Sequence, residues 1–366
     1  MPRDVPLPAH PRAVTAVAPA KINLHLAVGD ARPDGYHELV TVYRAVDLWE
    51  EVTVTVLGEP GSDGRGVGPG AGGEGPRGGG ARPGAGGEGP GHDDEVSVSG
   101  PGAEQVPTDR TNLAARAVDL LRREAGSDAR VAIRIRKGVP VAGGMAGGSA
   151  DAAAALVAAD RLFGLGLGRA GLEERAARLG SDVPFCVRGG TALGTGRGEK
   201  LVTLLHARAE QHLVVAAAAG GLSTPQVFAE LDRLRAAPGP ANPGPSRRLP
   251  RAGGTDPLLE ALAGDDPAAV AGLLANDLEP AALSLMPALR RTLRAGLEAG
   301  ALHGMVSGSG PTCLFFCRDR DHAIAVAAEI SEVGVAREVR VTSGPVGGAR
   351  VIDPSDAGPG VASTRK

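Results

Sequence analysis

Apolar and polar residues alternate along much of the segment 14–57, a pattern typical of β-strands that bury one face. The alternation is clearest at 20–26, AKINLHL, where isoleucine and leucine share one face and lysine, asparagine and histidine share the other. The segments 95–100 and 130–136 alternate in the same way, and an apolar run near 211 indicates a further strand. The chain therefore contains β-structure in both halves.

Runs of helix-forming residues separate these strands. They predict helices at 112–125, 151–162, 169–179, 224–235, 258–276 and 286–300, and then strand, glycine-rich loop, strand, helix and strand over 304–342. Helices and strands follow one another without a regular βα repeat, which favours two α+β domains over a doubly wound parallel sheet. A chain of 366 residues is long enough for two such cores.

One low-complexity tract interrupts this pattern. Residues 58–93 are about half glycine and contain the octapeptide PGAGGEGP twice. We interpret the tract as a disordered insertion without an assigned role, because it cannot bury enough apolar surface to offset its ordering entropy. The predicted organisation is a disordered N-terminus at 1–12, a first domain at 13–205, a second domain at 206–345 with a loop at 237–256, and a flexible tail at 346–366.

Composition argues against several classes of protein. The formal net charge is −3, and no extended basic tract suits a nucleic-acid partner. The three cysteines form neither a disulfide framework nor a metal-binding spacing, and Cys313 and Cys317 are predicted to be buried reduced thiols. No apolar stretch reaches the ~18 residues that a membrane span requires. We expect a cytoplasmic protein that needs no nucleic acid, membrane or obligate protein partner.

The segment 140–155, PVAGGMAGGSADAAAA, carries the most informative chemistry. Small residues lead directly into a helix-forming run. Their backbone N–H groups can close around phosphate oxygens, and the positive end of the helix dipole faces the same anion. The segment matches neither the P-loop nor the dinucleotide fingerprint. A tight, alanine-rich connection to a helix is the alternative interpretation.

Two further segments place polar and aromatic groups where a ligand could meet them. Lys21 and Asn23 share the polar face of a predicted strand, which could equally be a solvated edge. A Pro-Asp-Gly turn presents Tyr36 and His37, and Tyr43 follows seven residues later. The two tyrosines could stack on a flat ligand such as a nucleobase. A continuous strand would place them on opposite faces, so joint use requires a bend, and tyrosines of the core are the alternative.

Two turns complete the set of candidates. Asp182, in LGSDVPF, follows a predicted helix and precedes a proline, and its carboxylate could accept a proton from a substrate hydroxyl. Considered alone, this aspartate is better explained as a cap of the turn. The segment 306–312, VSGSGPT, is a second glycine-rich turn that could approach a ligand with backbone amides.

Taken in order, PAKINL, DGYH, PVAGGMAGGSADAA, GSDVPF and VSGSGPT resemble the motifs of the galactokinase, homoserine, mevalonate and phosphomevalonate (GHMP) kinase superfamily. Within it, PAKINLHL followed by RPDGYHEL resembles the kinases that act on 4-diphosphocytidyl-2-C-methyl-D-erythritol. Those kinases belong to the methylerythritol phosphate (non-mevalonate) route to isoprenoid precursors. The resemblance covers roughly residues 14–345, apart from the glycine tract and the 237–256 loop.

The resemblance implies both a fold and an activity. The fold is α+β in two domains, an N-terminal ribosomal-S5-like ATP-binding domain and a C-terminal α+β sandwich. The activity is phosphorylation of the substrate's 2-hydroxyl by ATP with Mg²⁺. Asp182 matches the catalytic base, and Lys21 matches the lysine that keeps the aspartate ionised and offsets charge on the transferring group.

The resemblance also assigns binding positions. Tyr36, Tyr43 and Phe228 match the aromatic residues that sandwich the cytosine. Asn23 and His37 match polar contacts to the cytidine diphosphate, and Thr224 matches a hydroxyl contact. Ser149 is placed to contact phosphate or magnesium, although no residue is assigned as a metal ligand. The positions that match the ATP site are Asn112, Lys137, Pro140, Val141, Ala142, Gly143, Gly144, Met145, Ala146, Gly147, Gly148, Ser149 and Ala150.

Three alanines depart from the commonest form of the phosphate-binding motif. Ala142, Ala146 and Ala150 stand where glycine or serine is frequent in relatives. Because a β-carbon restricts φ, we expect negative φ at all three positions.

Two other functions compete with this interpretation. Another GHMP kinase, of the mevalonate or homoserine type, is disfavoured because a substrate without a base needs no pair of stacking tyrosines. A non-catalytic nucleotide-binding relative is disfavoured because Lys21 and Asp182 are both retained.

Overall fold

The computed structural model describes residues 12–33, 35–58, 94–141, 143–207, 209–236 and 252–352. Most of the predicted disordered N-terminus, nearly all of the predicted glycine-rich insertion, and residues 237–251 of the predicted loop lie outside the described residues. The end of the predicted tail, from 353 onwards, lies outside them as well.

The larger of two sheets is built around two long antiparallel strands. Strands are numbered in chain order through both sheets, and the order here is β12-β1-β2-β4-β3, with β5 also paired to β2, β6 to β5 and β8 to β1. The eight strands of this sheet are β1 (Ala13–Ala31), β2 (His37–Gly58), β3 (Glu95–Ser99), β4 (Arg130–Arg136), β5 (Thr191–Gly196), β6 (Lys200–Thr203), β8 (Ala275–Asn276) and β12 (Arg350–Val351).

The smaller sheet has the strand order β11-β7-β10-β9 and antiparallel pairing throughout. Alternate residues of its central strands face two different cores. Leu213 and Leu314 pack into the core shared with the larger sheet, whereas Val214 and Phe315 pack against the outer helices. Its strands are β7 (Gln211–Ala217), β9 (His303–Val306), β10 (Thr312–Cys317) and β11 (Glu338–Gly344).

Ten α-helices surround the sheets in the described part of the chain. The most deeply buried is α2, whose alanine side chains let the neighbouring strands and helices approach closely on every side. The helices are α1 (Leu113–Glu124), α2 (Gly147–Phe163), α3 (Gly168–Leu179), α4 (Val183–Arg188), α5 (Thr224–Ala236), α6 (Asp256–Ala261), α7 (Pro267–Ala271), α8 (Glu279–Leu285), α9 (Leu289–Glu298) and α10 (Arg320–Val333).

Strand β1 is buried on both faces, which the alternation did not predict. Its first half packs against α2 through residues such as Ala16 and Ala18, and its second half enters the core shared with the smaller sheet through Ile22 and Leu24. The opposite face of that second half is polar, yet Lys21 is only 6% exposed. The polar face is therefore the floor of a cleft rather than a solvated edge.

The predicted α+β fold is confirmed, and the free cysteines are buried as expected. The single helix predicted at 258–276 is wrong. Asp266 caps a new helix by accepting a hydrogen bond from the Ala268 N–H at 2.9 Å, so the chain forms α6, α7 and then β8.

The flexible tail predicted from 346 is also wrong over its first residues. The Val346 carbonyl accepts a hydrogen bond at 2.7 Å from the N–H of Gly190, which lies beside α4. The Ala349 N–H donates at 3.0 Å to the carbonyl of Cys186, which lies within α4. The chain then forms β12 against β1. Because β8 and β12 both extend the larger sheet, the sheets do not divide at the predicted boundary of 205 and 206.

Candidate active site

A cleft of about 690 Å³ brings together most of the residues that the sequence singles out. Its walls come from β1, β2, the start of α2, the start of α4, α5 and the turn between β9 and β10. We call one part the reacting end, defined by Lys21 and Asp182, and the other the aromatic end, defined by Tyr36, His37 and Phe228.

Lys21 and Asp182 meet at the reacting end although they are far apart in sequence. The Lys21 ammonium Nζ lies 3.5 Å from Asp182 Oδ2 and donates a hydrogen bond to Asn23 Oδ1 at 2.9 Å. The aspartate stands just before α4, but its side chain makes no capping hydrogen bond. The structure therefore does not support the turn-cap explanation of Asp182, and it leaves the carboxylate 30% exposed toward the cleft.

A chain of hydrogen bonds holds Asn23, the hydrogen-bond acceptor of Lys21, in place. Asn23 Nδ2 donates to Thr41 Oγ1 at 2.7 Å, and the Thr41 hydroxyl donates to the His25 carbonyl at 2.7 Å. All three residues are buried. Asn23 therefore presents its carbonyl oxygen to the ammonium in a fixed orientation.

Tyr43 belongs to the reacting end, and its predicted place beside the cytosine stays a prediction. Its hydroxyl donates to Asp182 Oδ1 at 3.2 Å, and its ring packs on Phe185 with centroids 5.0 Å apart. The ring also lies 5.3 Å from Lys21 Nζ. Burial, followed by the charge of Asp182, raises the pKa of Tyr43 well above 10, so the phenol stays a neutral donor.

The glycine-rich segment before α2, called here the phosphate loop (residues 140–150), opens onto the same end. Its Met145 carbonyl accepts a hydrogen bond from the Lys21 backbone N–H at 3.2 Å, while the Met145 side chain is buried in the core between the sheets. Pro140 and Ala150 are also buried, and Ala142 lies outside the described residues. The loop residues that line the cleft are Gly143, Gly144, Ala146, Gly147, Gly148 and Ser149.

The expectation of negative φ at Ala146 is wrong. Ala146 has φ 59° and ψ 33° and immediately precedes α2. A β-carbon in this left-handed region costs roughly 1–2 kcal/mol, so the packing around the loop must impose the conformation. The preceding Gly144, with φ 73°, would bring a β-carbon within 2.2 Å of the Ser307 carbonyl oxygen. The loop is thus pressed against a neighbouring turn.

That neighbouring turn is the second glycine-rich segment, at 306–312. Ser307 Oγ donates to the Gly144 carbonyl at 3.3 Å, and a β-carbon on Gly308 would lie 3.8 Å from Lys21 Nζ. Gly308, Ser309 and Gly310 all line the cleft. Two glycine-rich backbones and one ammonium therefore converge at the reacting end.

At the aromatic end, a buried histidine is held between a carboxylate and a ring. His37 Nε2 lies 2.9 Å from Asp232 Oδ1, and its ring packs on Phe228 at 5.0 Å between centroids. Tyr36 precedes β2, is 52% exposed, and has the Arg197 guanidinium 4.7 Å above its ring. Both tyrosines line the one cleft, Tyr36 at the aromatic end and Tyr43 beside Asp182.

Three polar residues of the cleft received no role from the sequence: Ser181, Arg197 and Asp232. The signal for Asp232 was available, because it follows Thr224 and Phe228 at intervals of four and so shares one face of α5. Thr224 itself opens α5, and its hydroxyl lies 2.9 Å from Ser309 Oγ. Arg197 has no comparable signal, since it sits in a short turn between β5 and β6.

Asn112 and Lys137 are not among the described residues that line the cleft. Asn112 caps α1 by accepting from the Ala114 N–H at 2.8 Å, and its amide donates to the Pro107 carbonyl at 2.7 Å. Lys137 is buried between Glu50 and Asp151 at 2.7 and 2.6 Å. Their side chains make these internal contacts, and their predicted place near the nucleotide stays a prediction.

The described residues contain no group of three or more acidic, histidine or cysteine side chains arranged to hold a metal ion. None of the helices within the described ranges is both long and apolar enough to cross a membrane.

Two segments of the chain match models of known protein families. Residues 112–190 match the GHMP kinases N terminal domain, and residues 258–336 match the GHMP kinases C terminal domain. A crystal structure of a 4-(cytidine 5'-diphospho)-2C-methyl-D-erythritol kinase is 28% identical, with a TM-score of 0.63 over 91% of this chain and 100% of that one. A homoserine kinase from Cytophaga hutchinsonii has a TM-score of 0.65 over 95% of this chain and all of its own, but at 16% identity it shows the fold alone.

Curated relatives are much closer in sequence. The 4-diphosphocytidyl-2-C-methyl-D-erythritol kinase of Nocardia farcinica is 53% identical over 94% of this chain and 98% of its own length. The enzyme of the same name from Mycolicibacterium gilvum is 51% identical over 94% of this chain and 95% of its own. With identity this high over nearly full lengths, the chain belongs to the GHMP kinases and, within them, to the 4-diphosphocytidyl-2-C-methyl-D-erythritol kinase family.

Proposed function

We propose that this kinase transfers the γ-phosphoryl group of ATP to the 2-hydroxyl of 4-diphosphocytidyl-2-C-methyl-D-erythritol, a step toward isoprenoid precursors. The observation that carries the proposal is the meeting of Lys21 and Asp182, 3.5 Å apart, at the mouth of the phosphate loop. ATP is the donor common to the GHMP kinases. The aromatic end of the same cleft offers ring faces on which the nucleobase of this substrate can stack.

Asp182 acts as the base in this proposal. Its Oδ1 accepts the Tyr43 hydroxyl, and its Oδ2 faces the Lys21 ammonium, so the carboxylate is held in one orientation. A carboxylate in that position can take the proton of the attacking hydroxyl as the oxygen bonds to phosphorus. The Lys21 ammonium favours the ionised form of Asp182 and offsets the negative charge that spreads over the transferring group.

The phosphate loop binds the triphosphate of ATP. Its glycines expose backbone N–H groups, and the N-terminus of the buried helix α2 adds a partial positive charge at the same point. The turn at 306–312 closes the opposite side. Together they orient the γ-phosphoryl group toward the Lys21 and Asp182 side chains, and positioning of this kind supplies much of the rate enhancement in phosphoryl transfer.

The donor set of the cleft fits a magnesium ion carried by the nucleotide. Mg²⁺ in kinases keeps several waters and takes most of its other ligands from phosphates, so one or two protein oxygens suffice. The Ser149 hydroxyl is the cleft oxygen that would hold it. When bound, the ion would neutralise phosphate charge.

The aromatic end binds the cytidine diphosphate. Tyr36 and Phe228 offer ring faces for the cytosine, and His37, fixed by Asp232, offers a hydrogen-bonding edge. Arg197 brings a guanidinium to the same end, where a diphosphate needs positive charge. Thr224 adds a hydroxyl, and Asn23 lies nearer the reacting end beside Lys21.

An ADP-release assay with three acceptors tests this proposal. We expect turnover with 4-diphosphocytidyl-2-C-methyl-D-erythritol and background rates with mevalonate and homoserine, because neither of the latter carries a base for the aromatic end. Turnover of mevalonate or homoserine at a comparable kcat/KM would contradict the substrate assignment.

A further inference from the structure

Three buried ionisable side chains form a cluster that none of these roles uses. Lys137 Nζ lies 2.7 Å from Glu50 Oε1 and 2.6 Å from Asp151 Oδ2, and all three side chains are nearly inaccessible. The cluster joins β2, the end of β4 and α2. Burying charges is costly, and a buried ion cluster is often no more stable than an apolar one of the same volume, so stability alone does not explain it.

The cluster holds both ends of the phosphate loop. Lys137 and Gly138 lead into the loop, and Asp151 stands just after it in α2. Glu50 Oε2 accepts a hydrogen bond from the Gly138 N–H at 2.9 Å, and Arg340 of the smaller sheet donates to the Gly138 carbonyl at 2.7 Å. Both backbone polar groups of Gly138, its N–H and its carbonyl, are therefore held by hydrogen bonds just before the loop begins.

The same side chains also touch the loop where it becomes helical. A β-carbon on Gly147 would lie 3.0 Å from Glu50 Oε1 and 3.5 Å from Lys137 Nζ. Gly147 lines the cleft, and so do the next two residues, Gly148 and Ser149. A displacement of the cluster would thus move backbone groups that face the phosphates.

We infer that Glu50, Lys137 and Asp151 form a buried clamp that sets the spacing between the two ends of the phosphate loop, with Lys137 a positioning residue rather than a nucleotide ligand. The inference rests on the proposed function, because it takes ATP phosphate as the ligand of the loop. Since the clamp lies against the loop at Gly147 and none of its three residues is among the described residues that line the cleft, its loss weakens ATP binding and leaves the aromatic end intact.

Substitution of Glu50, which is 0% exposed and cannot reach a ligand, tests the clamp. Glu50→Leu keeps the volume but removes the acceptor of the Gly138 N–H, and we expect the Kd for MgATP, measured by calorimetry, to rise about tenfold or more. The KM for the cytidylyl substrate should change less than about twofold. Glu50→Gln should retain most ATP affinity, because its amide oxygen can still accept from Gly138. Glu51→Leu is the matched control on the adjacent residue.

The alternative that Lys137 contacts ATP directly gives the opposite result. Glu50→Leu would then release the ammonium from one partner and leave ATP binding unchanged or tighter. That outcome would overturn the clamp. Equal losses for ATP and for the cytidylyl substrate would overturn it as well, because they would mean general disruption of the fold.

A second variant covers the case in which Glu50→Leu does not fold. The Arg340 side chain is 29% exposed and lies outside the cleft, so Arg340→Leu is tolerated more easily. We expect about a threefold rise in the Kd for MgATP, with Arg337→Leu as control. Unchanged affinity in Arg340→Leu would contradict the role of Gly138.

If the wild type releases no ADP with the cytidylyl substrate, the proposed function fails, whereas nucleotide calorimetry still tests the clamp.

Discussion

In the proposed mechanism, the Tyr43 hydroxyl orients the base, Asp182. Its phenol donates to Asp182, while the ring packs on Phe185, and a β-carbon on Gly198 would come within 2.2 Å of the phenol oxygen. We expect Tyr43→Phe to lower kcat about three- to tenfold with KM for both substrates nearly unchanged, because one hydrogen bond to a charged group is lost and the ring packing remains. Steady-state kinetics measure this. A rise in KM for the cytidylyl substrate without a fall in kcat would instead favour the original stacking role.

In the proposed mode of substrate binding, cytosine stacking depends most directly on Tyr36. We expect Tyr36→Ala to weaken binding of the cytidylyl substrate by about 1–3 kcal/mol and to leave ATP affinity nearly intact. Tyr36→Phe, which keeps the ring, is the control and should bind almost normally. Calorimetry with each ligand gives the answer, and equal losses for both ligands would reject the stacking role.

Glu50 provides a pH-dependent test of the buried cluster. Burial, reinforced by Asp151 and opposed by Lys137, raises the pKa of Glu50 from 4.5 to about 8. Between these values the unfolded chain has lost the proton that the folded protein keeps, so the unfolding free energy should fall as pH rises, by up to ~1.4 kcal/mol per unit. The fall should level off above about pH 8.

Urea unfolding of wild type and Glu50→Gln over this range measures the effect. Because glutamine does not titrate, the difference in unfolding free energy between the two proteins should change with pH. In Glu51→Gln, the control, the profile should run parallel to wild type. Parallel profiles for wild type and Glu50→Gln would contradict the raised pKa.

At the scale of elements, the phosphate loop and α2 form one unit, and packing against other parts of the chain imposes its geometry. Ala146 is left-handed although alanine disfavours this region. We expect Ala146→Gly to raise the free energy of unfolding by about 0.5–1 kcal/mol, whereas Ala150→Gly inside α2 should lower it by about the same amount. Urea unfolding compares the two. Destabilisation by Ala146→Gly as large as that by Ala150→Gly would mean that Ala146 is not strained.

Sequence patterns were sufficient to predict some of the helices and strands but not others. The periodicity of 3.6 found most helices, and alternation found β1, because both signals are local. The burial of the polar face of β1 was not predictable in this way, since Lys21 and Asn23 are covered by loops from distant parts of the chain. The one helix predicted at 258–276 failed for a local reason, namely an unrecognised cap at Asp266.

At the scale of the whole molecule, the active-site cleft depends on chain segments that cross between the two sheets. The C-terminal strand β12 returns to β1, and the residues before it bond to α4, the helix that Asp182 precedes. No periodicity marks this return, because its contacts are backbone hydrogen bonds and close approaches such as that of Gly348 to Val187. The motifs predicted that Lys21 and Asp182 act together, but not that Lys137 lies against the phosphate loop at Gly147 or that Tyr43 donates to Asp182.

The most direct measurement of the central claim is the turnover of Asp182→Asn with ATP and 4-diphosphocytidyl-2-C-methyl-D-erythritol. If Asp182 takes the proton of the attacking hydroxyl, kcat should fall at least ~100-fold while the Kd for MgATP stays within about twofold. Asp321→Asn, on the surface of α10, is the control and should turn over like wild type. Turnover of Asp182→Asn near the wild-type rate would contradict the assignment of the base.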